Sequence, residues 1–261
     1  REPRWSRMEE TFGEDPWLTS VLGTAVVRGM QGDDTADKQH VICTLKHLAA
    51  YGVPEGGHNG GPVYAGERLL RSQLLLPFEK AVKAGAGTVM TSYNSIDGIP
   101  CTSNRHLLTD MLRGEWGFDG VVVSDCGAIG DFYNDGCHKT EPDPQHAATA
   151  AVRAGTDLEC GGVYGWLVDA VSKGIIDEKE IDKSVTRVMN MRYRLGEMDD
   201  DALVEWTKIP ADVVDSDAHK ALARQMALES IVLLKNDGTL PLSKDMKIGL
   251  LGPNANDSIM Q

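Results

Sequence analysis

From residue 16 to about 195, short apolar runs alternate with amphipathic stretches. Residues 41–45, 87–92 and 120–124 are compact, β-rich and apolar, the pattern of strands buried on both faces. Between them, Leu69, Leu70, Leu74, Leu76 and Phe78 recur at helical spacing over 67–82, and Leu107, Leu108, Met111 and Leu112 do so over 104–116. Further helices are expected at 144–153, 164–173 and 178–194, the last through Ile181, Val185, Val188 and Met191. Strand followed by helix, repeated, means right-handed βα units and a parallel sheet. A closed barrel and an open doubly wound sheet both satisfy that order. No G-x-G-x-x-G or G-x-x-x-x-G-K-[ST] follows any of the strands, which argues against a nucleotide-binding sheet. After Gly196 the pattern changes. An acidic stretch, a Pro210-containing linker, a helix over 218–234, a turn at Asn236-Asp237-Gly238 and a strand at 247–251 read as a second α/β unit beginning. The expected division is a barrel-like region over 1–198, a linker over 199–216 and the second unit over 217–261.

Composition narrows the partners. Apolar residues make up 41% of the 261, enough for a sizeable core. The formal net charge is -13, from 39 acidic and 26 basic residues, which argues against a nucleic-acid partner because phosphate binding needs excess Lys and Arg. No apolar run approaches the roughly 20 residues that cross a bilayer, so no membrane span is expected. The five cysteines, Cys43, Cys101, Cys126, Cys137 and Cys160, form no C-x-x-C pair. No metal site and no organic cofactor are therefore expected, and an odd count leaves at least one thiol unpaired. The chain opens on Arg1-Glu2-Pro3-Arg4 and stops at Ile259-Met260-Gln261, and both ends read as cuts through a longer protein.

Polar residues collect where three of the strands end. The first runs into Lys46-His47, the second into Tyr93-Asn94 and the third into Asp125. Taken singly, Lys46 and His47 suit a solvated loop, Tyr93 a rim aromatic and Asp125 a helix cap. Taken together, three strands delivering polar groups to one rim describe the face on which βα barrels build their sites.

These stretches also carry a resemblance. Pro3-Arg4-Trp5-Ser6-Arg7, continued by Glu9-Glu10-Thr11-Phe12-Gly13-Glu14-Asp15-Pro16, is similar to a signature of family 3 glycoside hydrolases. So are Lys46-His47-Leu48-Ala49-Ala50-Tyr51-Gly52, Val89-Met90-Thr91-Ser92-Tyr93-Asn94 and the run from Trp116 to Asp125. Ala154-Gly155-Thr156-Asp157-Leu158-Glu159-Cys160 and the run from Glu229 to Asn236 follow in the family's order. The resemblance implies an α/β fold: a (β/α)8 TIM-like barrel, here without its N-terminal strands, followed by the start of an α/β sandwich. It implies a retaining exo-acting β-glycosidase in which Asp125 is the nucleophile, acting on an oligosaccharide or an aryl or alkyl β-glycoside. Arg7, Lys46, His47 and Tyr93 then hold the terminal sugar or the nucleophile, and Met90 lines the pocket. Family habit adds a secreted or periplasmic location and leaves a homodimer open.

Two positions depart from the commoner family pattern. Cys126 follows the nucleophile where many β-glucosidases carry Trp, and Ser-Asp-Cys with Leu158-Glu159-Cys160-Gly161 is similar to the β-xylosidase branch. Hydrolysis of terminal β-D-xylosyl residues is thus ranked ahead of β-D-glucosyl. His58 stands where Arg is expected, placing a titratable group against a sugar hydroxyl. A β-N-acetylglucosaminidase using His58, a non-catalytic carbohydrate-binding barrel and an aldolase-like barrel with Lys46 as Schiff base are the competing readings. The acid/base carboxyl of a retaining enzyme is expected beyond the C-terminal end of this chain.

Overall fold

Asp15 accepts from the backbone N–H groups of Trp17 and Leu18, and Pro16 sits where no helical donor is missed, so α1 (Pro16–Gln31) begins there. The computed structural model describes residues 2–33, 40–252 and 255. Arg1, Pro253 and 259–261 lie outside them, and so does everything inferred from those ends. Two compact units are present, Arg1–Lys208 and Ile209–Gln261.

In the first unit, buried Gln31 fastens the end of α1 to two strand starts. Its Oε1 accepts from Cys43 N at 3.1 Å and Gly87 N at 3.0 Å, while Nε2 donates to the Gly85 carbonyl. Strand β1 (Thr44–Leu48) starts three residues later than the apolar run at 41–45 suggests, because ladder partners begin at Thr44, opposite Thr88. The single helix expected over 67–82 is instead α2 (Glu67–Leu69), a π turn over Leu70–Leu74 and α3 (Leu76–Lys83). Pro77 has no N–H to give to residue 73, and Leu75 N reaches back to Leu70 O at 2.8 Å. Next come β2 (Thr88–Thr91), the hairpin β3 (Ser95–Ile96) with β4 (Ile99–Pro100), a π-helical stretch His106–Glu115 and β5 (Val121–Val123).

The main sheet has the order β1-β2-β5, all parallel, and a bridge from Val123 to Leu158 extends it. The expected (β/α)8 barrel is thus represented among the described residues by three paired strands and one bridge. A Cβ on Gly120 would lie 2.1 Å from the Gly87 carbonyl oxygen, so only glycine fits where β2 and β5 converge. Leu48, Val89 and Val122 from the sheet pack with Leu75, Leu108 and Leu112. A second cluster joins Ile129 and Phe132 to α4 (Pro144–Ala154) and α5 (Leu167–Ser172). α6 (Glu178–Arg194) starts on a capping box between Asp177 and Glu180.

In the second unit, α7 (Asp217–Ser230) is capped by Ser216 and stops four residues short of expectation, where Ile231 turns extended at φ -77°, ψ 125°. Residues 247–251 are not a strand, because no neighbouring main chain among the described residues pairs with them. No helix among the described residues is long and apolar enough to cross a membrane.

Candidate active site

Parallel pairing brings the C-terminal ends of β1, β2 and β5 to one edge of the sheet, and Asp125 lies two residues past the last of them. It is 6% exposed. Its Oδ1 accepts from Cys126 N at 2.8 Å, whereas Oδ2 is buried with no hydrogen-bond partner among the described residues. His47 Nε2 stands 3.3 Å from Oδ2, and Arg7 Nη1 stands 3.7 Å from it. The first approach is a close contact and not a hydrogen bond, for a reason in the neighbouring geometry. Arg7 Nη2 is 3.2 Å from the same His47 nitrogen, and a guanidinium can only donate. With Arg7 as donor, Nε2 accepts and the ring proton sits on Nδ1. Burial lowers the His47 pKa to about 4, with Asp125 opposing the shift and Arg7 and Lys46 reinforcing it. The ring is neutral at physiological pH.

The rest of the ring is built from segments far apart in sequence. Arg7 turns its Nε and Nη2 to the Glu10 carboxylate at 2.5 and 2.8 Å and donates from Nη1 to the Tyr51 hydroxyl at 2.9 Å. Lys46 Nζ donates to Glu10 Oε2 at 3.2 Å. The hydrogen bonds from Arg7, and then that from Lys46, bring the Glu10 pKa down to about 2, so this carboxyl is ionised and has no proton to give. Tyr51 packs edge-on to Trp5 and His47, with centroids 5.1 and 4.9 Å away. Tyr93 donates its hydroxyl proton to the Cys126 carbonyl at 2.6 Å, and its own carbonyl meets His138 Nε2 at 2.7 Å. Burial, then the Asp125 charge, pushes the Tyr93 phenol up to about 12, which keeps it a donor. Cys126 and Cys160, 34 residues apart, form a disulfide beside the carboxylate.

Of the residues singled out from sequence, Arg7, His47 and Asp125 meet directly. Lys46 joins them through Glu10, and Tyr93 through the Cys126 main chain. Met90 lies on β2 in register with Val123, two residues before Asp125. His58 is exposed at the end of the Glu55–Gly57 turn, and no hydrogen bond or ion pair among the described residues joins its side chain to the cluster. Lys46 is 48% exposed and ion-paired, unlike the dry amine a Schiff base requires. Sequence pattern alone does not single out Glu10 or Tyr51. Both stand inside motif stretches, but no periodicity marks them as neighbours of Asp125.

Fold and site together define a parallel α/β domain with a carboxylate-centred polar site at its strand ends. Residues 1–191 match the glycosyl hydrolase family 3 N-terminal domain, and the chain belongs to that family. It is similar to a xylan 1,4-β-xylosidase of Xylanibacter ruminicola, with 44% identity over 266 residues, covering 100% of this chain and 31% of that protein. A periplasmic β-glucosidase of Salmonella typhimurium is 40% identical over 263 residues, covering 98% of this chain and 34% of that protein. The structure of a β-glucosidase from Listeria innocua in complex with glucose superposes with a TM-score of 0.82 at 37% identity, over 92% of this chain and 33% of that one. The chain thus spans about a third of the length of these relatives.

Proposed function

We propose that this chain carries the nucleophile side of a retaining, exo-acting β-glycosidase that removes terminal non-reducing β-D-xylosyl or β-D-glucosyl residues. One observation carries the reading: a buried carboxylate whose Oδ1 is held by Cys126 N–H while Oδ2 has no donor among the described residues at the strand-end face. A hydrogen bond to Oδ2 would have to be broken before attack, and none is present among the described residues. In the reaction, Oδ2 of Asp125 bonds to the anomeric carbon as the glycosidic C–O bond breaks. A second carboxyl protonates the departing oxygen, then takes the proton of the water that releases the sugar. Glu10 does not supply that proton, since Arg7 and Lys46 hold it ionised. The acid/base group is assigned to residues outside this chain, as is the remainder of a TIM-like barrel over 1–198 and of a sandwich domain from 217 onward. Arg7, Lys46, Tyr93 and Met90 are the residues that bind the terminal sugar or hold the nucleophile, with neutral His47 as an acceptor.

Xylose is favoured over glucose by the Cys126–Cys160 pair, which occupies the position after the nucleophile where many β-glucosidases of the family place an indole. The kinship with the Salmonella typhimurium protein supports a periplasmic or secreted setting. The test is covalent labelling of the protein in its full-length context with 2-deoxy-2-fluoro-β-xylosides and -glucosides, mapped by peptide mass spectrometry. An adduct on Asp125, formed faster with the xyloside, is the expected result. An adduct on another residue would overturn the assignment, and sugar binding with no adduct would make this a carbohydrate-binding module.

A further inference from the structure

Arg7 Nη1 stands 3.7 Å from Asp125 Oδ2 while another edge of its guanidinium is held by a second carboxylate. A guanidinium is planar, so two hydrogen bonds to one carboxylate fix its orientation as well as its position. Glu10 makes that two-point contact on Nε and Nη2, leaving Nη1 for Tyr51 and the approach to Asp125 Oδ2. The same carboxylate accepts from Lys46 Nζ, so one side chain anchors cations delivered by two different segments. It also balances charge: Arg7 and Lys46 are offset by Glu10 and Asp125, and removing Glu10 leaves one uncompensated positive charge. We propose that Glu10 is a positioning residue of the glycosidase site, aiming Arg7 at Asp125 and His47 and holding Lys46 beside them. It acts through these cations and touches neither the reacting carbon nor its leaving group.

The inference rests on the glycosidase reading, and the experiment separates the two. Unsubstituted full-length protein, Glu10→Ala and Glu10→Gln are labelled at Asp125 with the 2-fluoro sugar, with and without added formate. Labelling by the unsubstituted protein supports the glycosidase reading by itself. Glu10→Ala is expected to label at least 30-fold more slowly, and formate, which fits between the two cations, is expected to recover much of the rate. Glu10→Gln keeps the volume but presents an amide donor to one of the cations, so it is expected to be slow and unresponsive to formate. Labelling of both variants within threefold of the unsubstituted protein overturns the proposal, as does a slow Glu10→Ala that formate leaves slow. The Arg7 Nε–H resonance gives a readout that needs no activity. A single signal, lost in Glu10→Gln and in Glu10→Ala and restored in the latter by formate, supports the anchor, and an unchanged signal in both overturns it.

Discussion

Replacing Asp157 with Asn tests whether the sheet beneath Asp125 is held by a buried ionic knot. The Asp157 side chain is 0% exposed and accepts from Arg113 Nη2 at 2.6 Å, Arg187 Nη1 at 2.8 Å and Val122 N at 2.9 Å. Val122 is the middle residue of β5, three before Asp125, so the knot ties the strand that leads to Asp125 to α6 and to the π-helical stretch. Asn has nearly the same shape, but one of its two positions becomes an NH₂ facing an arginine donor. Either Arg187 or the pair of Arg113 and Val122 then loses its acceptor. Breaking a buried ion pair from one side costs roughly 3–5 kcal/mol. Arg187 is 31% exposed and recovers part of its solvation, so the lower figure, about 3 kcal/mol, is appropriate. That corresponds to a folding constant reduced by about a hundredfold. With a urea dependence of about 3 kcal/mol per molar, the unfolding midpoint falls by about 1 M. Far-UV circular dichroism during urea titration of this chain reads it directly. A midpoint shift below about 0.2 M would refute the reasoning, since the knot would then contribute no more than a surface pair.

Three further outcomes follow from the same geometry. His47 has a free pKa near 6.5 and a folded value of about 4, so as pH falls the unfolded chain takes up a proton first and stability is lost between those values; His47→Gln should flatten the decline in urea midpoint from pH 7 to 4.5, and parallel profiles would contradict this. Gln31→Ala strands the N–H groups of Cys43 and Gly87 and should lower stability by roughly 2–4 kcal/mol in the same titration. Alkylation without reductant should modify exposed Cys137 well before buried Cys101 and spare Cys126 and Cys160, with peptide masses reporting the order. Reductant should release the last two, and losing that cross-link costs up to about 4 kcal/mol by chain entropy.

Much of the fold was legible because burial and periodicity are local. The runs at 87–92 and 120–124 contain β2 and β5, and the pattern over 178–194 is α6 to the residue. Turn and cap residues are local signals too. Asp15-Pro16 announces α1, and Asp97-Gly98, with φ of 49° and 86°, turns the β3–β4 hairpin between two isoleucines. The single helix that apolar spacing predicts over 67–82 is interrupted ahead of Pro77, where the spacing continues but the hydrogen-bond ladder does not. Strand 247–251 failed for a different reason: β-propensity makes a strand only where another main chain is present to pair with.

The site divides along the same line. Order along the chain determines that Tyr93 and Asp125 stand just past strand ends, because strand ends are set by where apolar runs stop; Lys46 and His47, expected past the end of the first strand, lie inside β1 instead, because its pairing continues to Leu48 opposite Thr91. Motif resemblance adds Arg7 to that group before any coordinate is known. Only the tertiary structure decides that Lys46 meets Glu10, that His58 stays apart, that Cys126 pairs with Cys160, and that Arg7 reaches His47 and so fixes its tautomer. The contacts among those outcomes depend on the register and closeness of segments 34 to 40 residues apart. Hydrophobic pattern constrains which face of a segment is buried, but it carries no information about which polar atom lies within 3 Å of another.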